Sequence, residues 1–177
     1  MNNLNELAAQ LHAAAVEKGF WDIEDADIKH IAKMHCELSE AVQADRAGTM
    51  YTPEDSISGK PEGVAVELAD FVMMALDLCA RMEIDIDGII APKMEEFRAK
   101  AMEDYRKAGL CTLVLECHAA LTRATLADSE TDIFVGMSIM IYGVEMWLEA
   151  RGYDLWARIE EKRIVNRNRP KLHGRLY

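Results

Sequence analysis

Aromatic residues, prolines, paired cysteines and long apolar runs are scarce in this sequence of 177 residues. Aromatics make up 7% of the chain and there are only four prolines. No uninterrupted apolar run approaches the ~18–20 residues that span a bilayer, so we expect no membrane partner. The four cysteines include no CxxC pair, which argues against a zinc knuckle or a disulfide framework. We expect them to be small core residues in a reducing cytoplasm.

Basic residues are also outnumbered, since the net charge is −11 with 31 acidic and 20 basic residues. This balance argues against a nucleic acid polymer as partner. Residues 1–6 lack the basic start of a signal peptide, which favours a cytoplasmic location. The exception is the stretch 162–177, which has six Lys or Arg and no Asp or Glu. An acidic body with one basic tail suits a metal-bound phosphate ligand better than a long nucleic acid.

The composition that remains favours an all-α protein with residues 1–177 in one domain. Half of the residues are hydrophobic, and apolar residues recur at intervals of three and four. The 49–63 stretch, rich in Gly, Pro and Ser, is predicted to be a loop that either covers a ligand or simply connects two helices. In the segment 83–109, Pro92 either kinks a helix or marks its first turn. Helices are predicted at about 3–18, 25–48, 61–81, 83–109, 110–126, 129–151 and from 154 onward.

Two pairs of carboxylates carry the chemistry that the sequence suggests. Glu37 and Glu40 stand at i, i+3 in the second predicted helix, and Glu67 and Asp70 repeat that spacing in the third. This spacing puts each pair on one face of its helix. Four like charges on facing helices repel one another unless a hard divalent cation holds them. The pattern therefore predicts a magnesium site.

Several neighbours of these acids have two interpretations. Phe20 and Trp21 are either core residues or a wall for a flat base, and His35 is either a core histidine or a ligand. Asp77 lies on the same side of its helix as Asp70, but we expect it at the surface. A di-iron carboxylate bundle would need Glu-x-x-His pairs, and none occurs at the acidic positions.

A weak internal repeat appears when the chain is shifted by 69 residues. The shift places the apolar run Phe71–Met82 on Met140–Arg151 and Lys93 on Lys162. Gly136 and Ile139 then stand where the first copy has Glu67 and Asp70. We expect one acidic site per chain, in a half spanning 1–108, and a degenerate second half, 109–177, that supplies the basic tail.

The acidic pairs and the tail together resemble a known family. Glu37-x-x-Glu40, 26 intervening residues and Glu67-x-x-Asp70 are similar to the metal signature of the all-α NTP pyrophosphohydrolases. That superfamily includes MazG-like enzymes, dimeric dUTPases and phosphoribosyl-ATP pyrophosphohydrolase. The basic tail is similar to that of the MazG-like branch through Lys162, Asn166, Arg169, Pro170, His173, Gly174 and Arg175.

The resemblance implies a helical bundle that hydrolyses (d)NTP to (d)NMP and pyrophosphate with Mg²⁺. The metal ligands would be the four acids of the signature: Glu37, Glu40, Glu67 and Asp70. The substrate-binding residues would be those of the tail: Lys162, Asn166, Arg169, His173 and Arg175. The resemblance also implies a homodimer or homotetramer. Because the tail follows the second acidic helix by some 90 residues, it serves either its own acidic site or that of a partner chain.

Physical chemistry supports the same reaction. Phosphoryl-type substitution needs neutralised phosphate oxygens and a positioned water, and carboxylate-held magnesium supplies both. Glu40 is our candidate for the base that accepts the proton of the water. Lys and Arg of the tail would hold the outgoing pyrophosphate. The alternative is a non-catalytic nucleotide-binding or regulatory relative, which the degenerate second half suggests.

Overall fold

The computed structural model describes residues 3–53, 59–126 and 129–174, and these residues form an all-α fold. One isolated antiparallel bridge joins Thr52 to Glu62. The helices are α1 (Leu4–Glu17), α2 (Ala26–Arg46), α3 (Val64–Arg81), α4 (Ala91–Lys107), α5 (Leu110–Leu126), α6 (Glu130–Ser138), α7 (Val144–Glu149) and α8 (Leu155–Arg167). Short π-helical turns at Ile86–Ile90 and Ile139–Gly143 precede α4 and connect α6 to α7.

Helix α3 lies at the centre of the fold because it is apolar on almost every side. Leu68, Phe71 and Leu76 are fully buried, and α1, α2 and α8 all pack against this helix. A helix that is hydrophobic all round must be surrounded by others. The two acids of its first turns, Glu67 and Asp70, are therefore partly buried against neighbouring helices.

The start of α3 is fixed by the loop before it. The Val64 and Ala65 N–H groups donate to the carbonyls of Thr49 and Met50 at 3.1 and 3.0 Å. Gly63 has φ 112°, and a Cβ there would lie 2.9 Å from the Met50 carbonyl. Only glycine fits this close approach. The sequence predicts a start near residue 61, but the helix begins at Val64. Glu67 therefore stands in its first turn.

Helix positions along the chain agree well with the prediction, but the buried face of α2 does not. The spacing of three and four residues predicts a buried stripe made of Ile28, Ile31, His35, Leu38 and Val42. Ile28, however, is 68% exposed. The residues that are buried are Met34, Leu38 and Ala41, and Glu37 joins them. The sequence spacing predicts that Glu37 lies beside the stripe, but in the structure it is part of the buried face.

The segment 83–109 differs from the single helix that was predicted. Ile86–Ile90 is π-helical, and Pro92 lies in the first turn of α4, which is one of its two predicted roles. The Asn5 amide donates to Asp85 at 2.7 Å, and the backbone N–H of Asn5 donates to Asp87 at 2.8 Å. These bonds tie the start of α1 to the π-helical turn.

The expectation that all four cysteines are core residues needs correction. Cys79 and Cys117 are buried as expected, whereas Cys36 and Cys111 are exposed. The helical stretch Glu130–Glu149 is long and apolar enough, by length and composition alone, to cross a membrane. It contains acidic residues, so it is not an uninterrupted apolar run, and the absence of a membrane partner stays a prediction. Half of its apolar window is buried inside the fold, a pattern that a core helix also gives.

Candidate metal and phosphate site

Three of the four predicted carboxylates converge between α2 and α3. Glu37, Glu67 and Asp70 each offer an oxygen, and these oxygens lie within 4.8 Å of one another. Glu37 is only 7% exposed, while Glu67 and Asp70 are half-buried. We call these three residues the acidic group. The i, i+3 spacing on α3 and the buried face of α2 bring them together.

Burial and mutual repulsion raise the pKa values in the acidic group. Burial, followed by the charge of Asp70, raises the pKa of Glu37 to about 8, with Lys33 acting in the opposite direction. Burial and Asp70 raise the pKa of Glu67 to about 7, against the opposing charge of Lys162. Ionised carboxylates are thus destabilised here unless a cation compensates them. Oxygen donors at this spacing fit a hard divalent cation.

Glu40, the candidate base, lies at the exposed edge of the same site. It is not among the three converging acids, and its side chain is exposed. Its negative charge nevertheless contributes to the raised pKa values of both Glu37 and Glu67. A carboxylate close to the acidic group yet open to water suits a base better than a tightly held ligand. Its predicted roles as ligand and base stay predictions.

Lys162 and Lys33 contact the acidic group from different elements. Lys162 of α8 is 5% exposed, and its Nζ lies 2.6 Å from Asp70 Oδ2. Lys33 of α2 lies 3.8 Å from Glu37 Oε1, one helical turn away. Lys162 therefore reaches the acidic group of its own chain. Service of a partner chain's site by the tail stays a prediction. Lys33 stands four residues before Glu37 and hence on the same face of α2, but it is not among the predicted site residues.

The rest of the predicted tail folds over the link between α1 and α2. The Arg169 guanidinium contacts Asn166 Oδ1 at 3.3 Å and His173 Nδ1 at 3.1 Å. Lys18 Nζ donates to the Arg169 carbonyl at 2.6 Å, and the Leu172 N–H donates to the Lys18 carbonyl at 2.8 Å. Arg175, also predicted to bind substrate, lies outside the described residues.

Positive charge accumulates around His173. Burial is the main cause that lowers the pKa of this histidine to about 4, and the rest of the shift comes from the charges of Arg169, Lys33, Lys18 and Lys162. Cations that repel one another in this way are stabilised by an anion placed among them. The tail thus forms a basic region beside the acidic group, and Lys162 belongs to both.

The two aromatic residues of the link have separate surroundings. Phe20 meets the His173 ring edge-on at 5.0 Å, and Lys33 Nζ lies 5.2 Å from its ring centre. Trp21 instead stacks on His30, with ring centres 4.8 Å apart. Both side chains are half-buried and so are not fully enclosed in the core. Phe20 lies between the tail and α2, whereas Trp21 packs between His12 of α1 and His30 of α2.

Asp77, expected at the surface, is 5% exposed, and that prediction is wrong. His12 Nδ1 lies 2.6 Å from Asp77 Oδ1, Trp21 Nε1 donates at 3.2 Å, and His30 Nδ1 lies 3.8 Å from Oδ2. Burial raises the pKa of Asp77 against these partners. The signal in the sequence is its position, seven residues after Asp70 and hence on the same inward face of α3.

His35 is neither a buried core residue nor a member of the acidic group. It is half-buried, and its Nδ1 lies 2.7 Å from His118 Nδ1, with the two rings stacked at 5.0 Å. This pair joins α2 to α5. An open groove of about 750 Å³ is lined by His118, Thr122 and Asp132 among others, and the predicted site residues that the structure describes are not part of its lining.

No match was found between this chain and protein-family models, curated proteins or solved structures. The function proposed below therefore rests on the motifs of the sequence, the all-α fold, and the contact between the acidic group and the basic tail.

Proposed function

We propose that this protein is a magnesium-dependent nucleoside triphosphate pyrophosphohydrolase of the all-α, MazG-like type, which cleaves (d)NTP to (d)NMP and pyrophosphate. The observation that carries the proposal is that the acidic group and the basic tail lie next to each other. Three carboxylate oxygens lie within 4.8 Å of one another, and Lys162 bonds to one of these acids from the basic tail. A cation and the phosphates that it binds need these two surfaces side by side.

Glu37, Glu67 and Asp70 would hold the magnesium ion, with Glu40 completing the set at its exposed edge. Bound there, magnesium would neutralise phosphate oxygens and lower the pKa of a bound water. The raised pKa values of Glu37 and Glu67 support this assignment, because the two acids lack a sufficient positive counter-charge in the protein itself. Glu40, exposed and close to the acidic group, would accept the proton of the attacking water.

The basic tail would bind the phosphates. Arg169 makes polar contacts with Asn166 and His173, and its planar guanidinium can bind a phosphate with two parallel hydrogen bonds. The low pKa of His173 keeps its imidazole neutral near pH 7, so it can accept as well as donate a hydrogen bond. Cytoplasmic location and assembly into a homodimer or homotetramer are further parts of the proposal.

The experiment that tests the proposal is product analysis on a panel of dNTPs. The purified chain is incubated with each dNTP, with magnesium or with a chelator, and the nucleotide and phosphate products are separated. We expect monophosphate and pyrophosphate in equal amounts, only with magnesium. Release of diphosphate and inorganic phosphate would refute the assigned bond. Magnesium-dependent nucleotide binding without any hydrolysis would favour the non-catalytic alternative.

A further inference from the structure

We propose that Lys162 is an internal counter-ion that exchanges partners. It holds Asp70 while the acidic group has no divalent cation, and it turns to a phosphate once a cation is bound there. Cation and phosphate would then bind cooperatively through this one side chain. The inference rests on the proposed function, which supplies the two ligands, and it assigns the residue that couples them.

The contact between Lys162 and Asp70 is close and shielded from water. The Nζ–Oδ2 distance is 2.6 Å, and Lys162 is 5% exposed. A buried ammonium group loses its hydration and must be compensated by a partner. By comparison, Lys33 lies 3.8 Å from Glu37 and its side chain is about a third exposed. The charge of Lys162 is thus held more closely by the acidic group than that of Lys33.

Lys162 also lies at the boundary between the two charged regions. Its positive charge acts on Glu67 in the acidic group and on His173 in the basic tail. The lysine stem is flexible, with four methylenes carrying a compact charge. A change of torsion angles in that stem can carry Nζ from one region to the other while α8 stays in place.

A divalent cation cannot share Asp70 with Lys162 without repulsion. The two positive charges would lie within a few ångströms of each other at a partly buried site, where screening by water is weak. Lys162 therefore opposes the cation when no anion is present. A phosphate beside the cation gives the displaced ammonium group of Lys162 a new partner. Lys162 then favours the binding of the cation and no longer weakens it. By linkage, each ligand then strengthens the binding of the other by the same factor.

The test uses Mn²⁺ as the probe, because Mn²⁺ prefers oxygen ligands as Mg²⁺ does. The concentration of free Mn²⁺ is measured directly by electron paramagnetic resonance. Mn²⁺ affinity is determined with and without inorganic phosphate for the wild type and for Lys162→Met. We expect phosphate to raise the wild-type affinity by about fivefold or more. In K162M we expect tighter binding of Mn²⁺ alone and no gain from phosphate.

Arg163→Gln is the matched control, because it removes one positive charge from the next position of α8, where Arg163 bonds to Glu160 and Gln10. It should behave as the wild type does. Lys162→Gln keeps a hydrogen-bond donor for Asp70 and gives the same test if K162M does not fold. Unchanged or weaker Mn²⁺ binding in the Lys162 variants, or an unchanged gain from phosphate, would overturn the inference.

The outcomes also separate this inference from the proposed function. Coupled binding of Mn²⁺ and phosphate through Lys162, in a chain that hydrolyses no dNTP, would support the exchange of partners and refute the enzyme. Hydrolysis of dNTPs without coupled binding of Mn²⁺ and phosphate would support the enzyme and refute the exchange of partners. A wild type that binds no Mn²⁺ under either condition would refute both.

Discussion

Lys162 Nζ lies 2.6 Å from Asp70 Oδ2, although 92 residues separate the two in the sequence. The contact closes α8 onto α3, the central helix of the fold, within one chain. A basic tail that comes after a second set of helices therefore still reaches the acidic group of its own chain. This relationship joins the two motifs on which the proposed function depends.

The metal-free protein should lose stability as the pH rises from about 6.5 to about 8. The pKa of Glu37 is raised to about 8 in the folded protein, so the folded state holds a proton that the unfolded state has already released. The protonated Glu37 adds to the free energy of unfolding at low pH. This contribution is lost as the pH rises through the pKa that Glu37 has in the folded protein. We expect a decrease of about 1–2 kcal/mol over this range in urea unfolding with a chelator present.

The chosen pH range limits the contribution of the histidines. Burial lowers the pKa values of His30, His35 and His118, and these groups add stability with rising pH mainly below their ordinary value of 6.5. Glu37→Gln should flatten the profile above that pH. Magnesium should reverse the loss in the wild type, because it favours the ionised acids. A flat wild-type profile would contradict the account of Glu37.

Removal of Asp77 should destabilise the protein by about 2 kcal/mol, since it leaves buried polar partners unpaired. His12 and Trp21 both bond to this carboxylate. Asp77→Asn should cost less than Asp77→Ala, because its amide oxygen can still accept a hydrogen bond and no buried charge is needed. Urea unfolding gives both values. Asp45→Ala, at an exposed position of α2, should have little effect; equal losses in Asp77→Ala and Asp45→Ala would disprove the prediction.

Asp154 should stabilise the helix that carries Lys162. Its carboxylate accepts from the N–H groups of Trp156 and Ala157 at 2.9 and 3.2 Å, which caps the start of α8. Asp154→Ala should cost about 1 kcal/mol in thermal or urea unfolding. Asp25, in the same position before α2, has φ 53° and no capping bond. Asp25→Gly should therefore be neutral or stabilising, and a loss as large as that in D154A would contradict this difference.

Local signals in the sequence predicted most of the helical architecture. The bounds of α5 agree with the prediction, and Asn3 caps α1 where the apolar spacing begins. Caps and apolar spacing act within one or two turns, so one sequence is enough to detect them. The π-helical turn Ile139–Gly143, inside a segment predicted as one regular helix, has no comparable local signal.

The candidate site was predicted only where charge pattern and helix spacing agreed. The i, i+3 acids on α3 are of this kind, whereas Asp77 needed knowledge of which helices cover its face. Ile28 shows the same limit, because its apolar character predicted burial while the packing of α2 leaves it exposed. The internal repeat, with a degenerate second half over residues 109–177, stays a prediction, as does the assignment of Glu40 as base.

The measurement that tests the central claim most directly is hydrolysis of dNTPs by Glu67→Ala in magnesium. Glu67 stands in the first turn of α3 and is half-buried, so its removal should leave the helical circular dichroism spectrum unchanged. Glu103→Ala, an exposed acid of α4, serves as the matched control. The account predicts that E67A releases no monophosphate above background while E103A matches the wild type. Undiminished turnover by folded E67A would contradict the assignment of the acidic group.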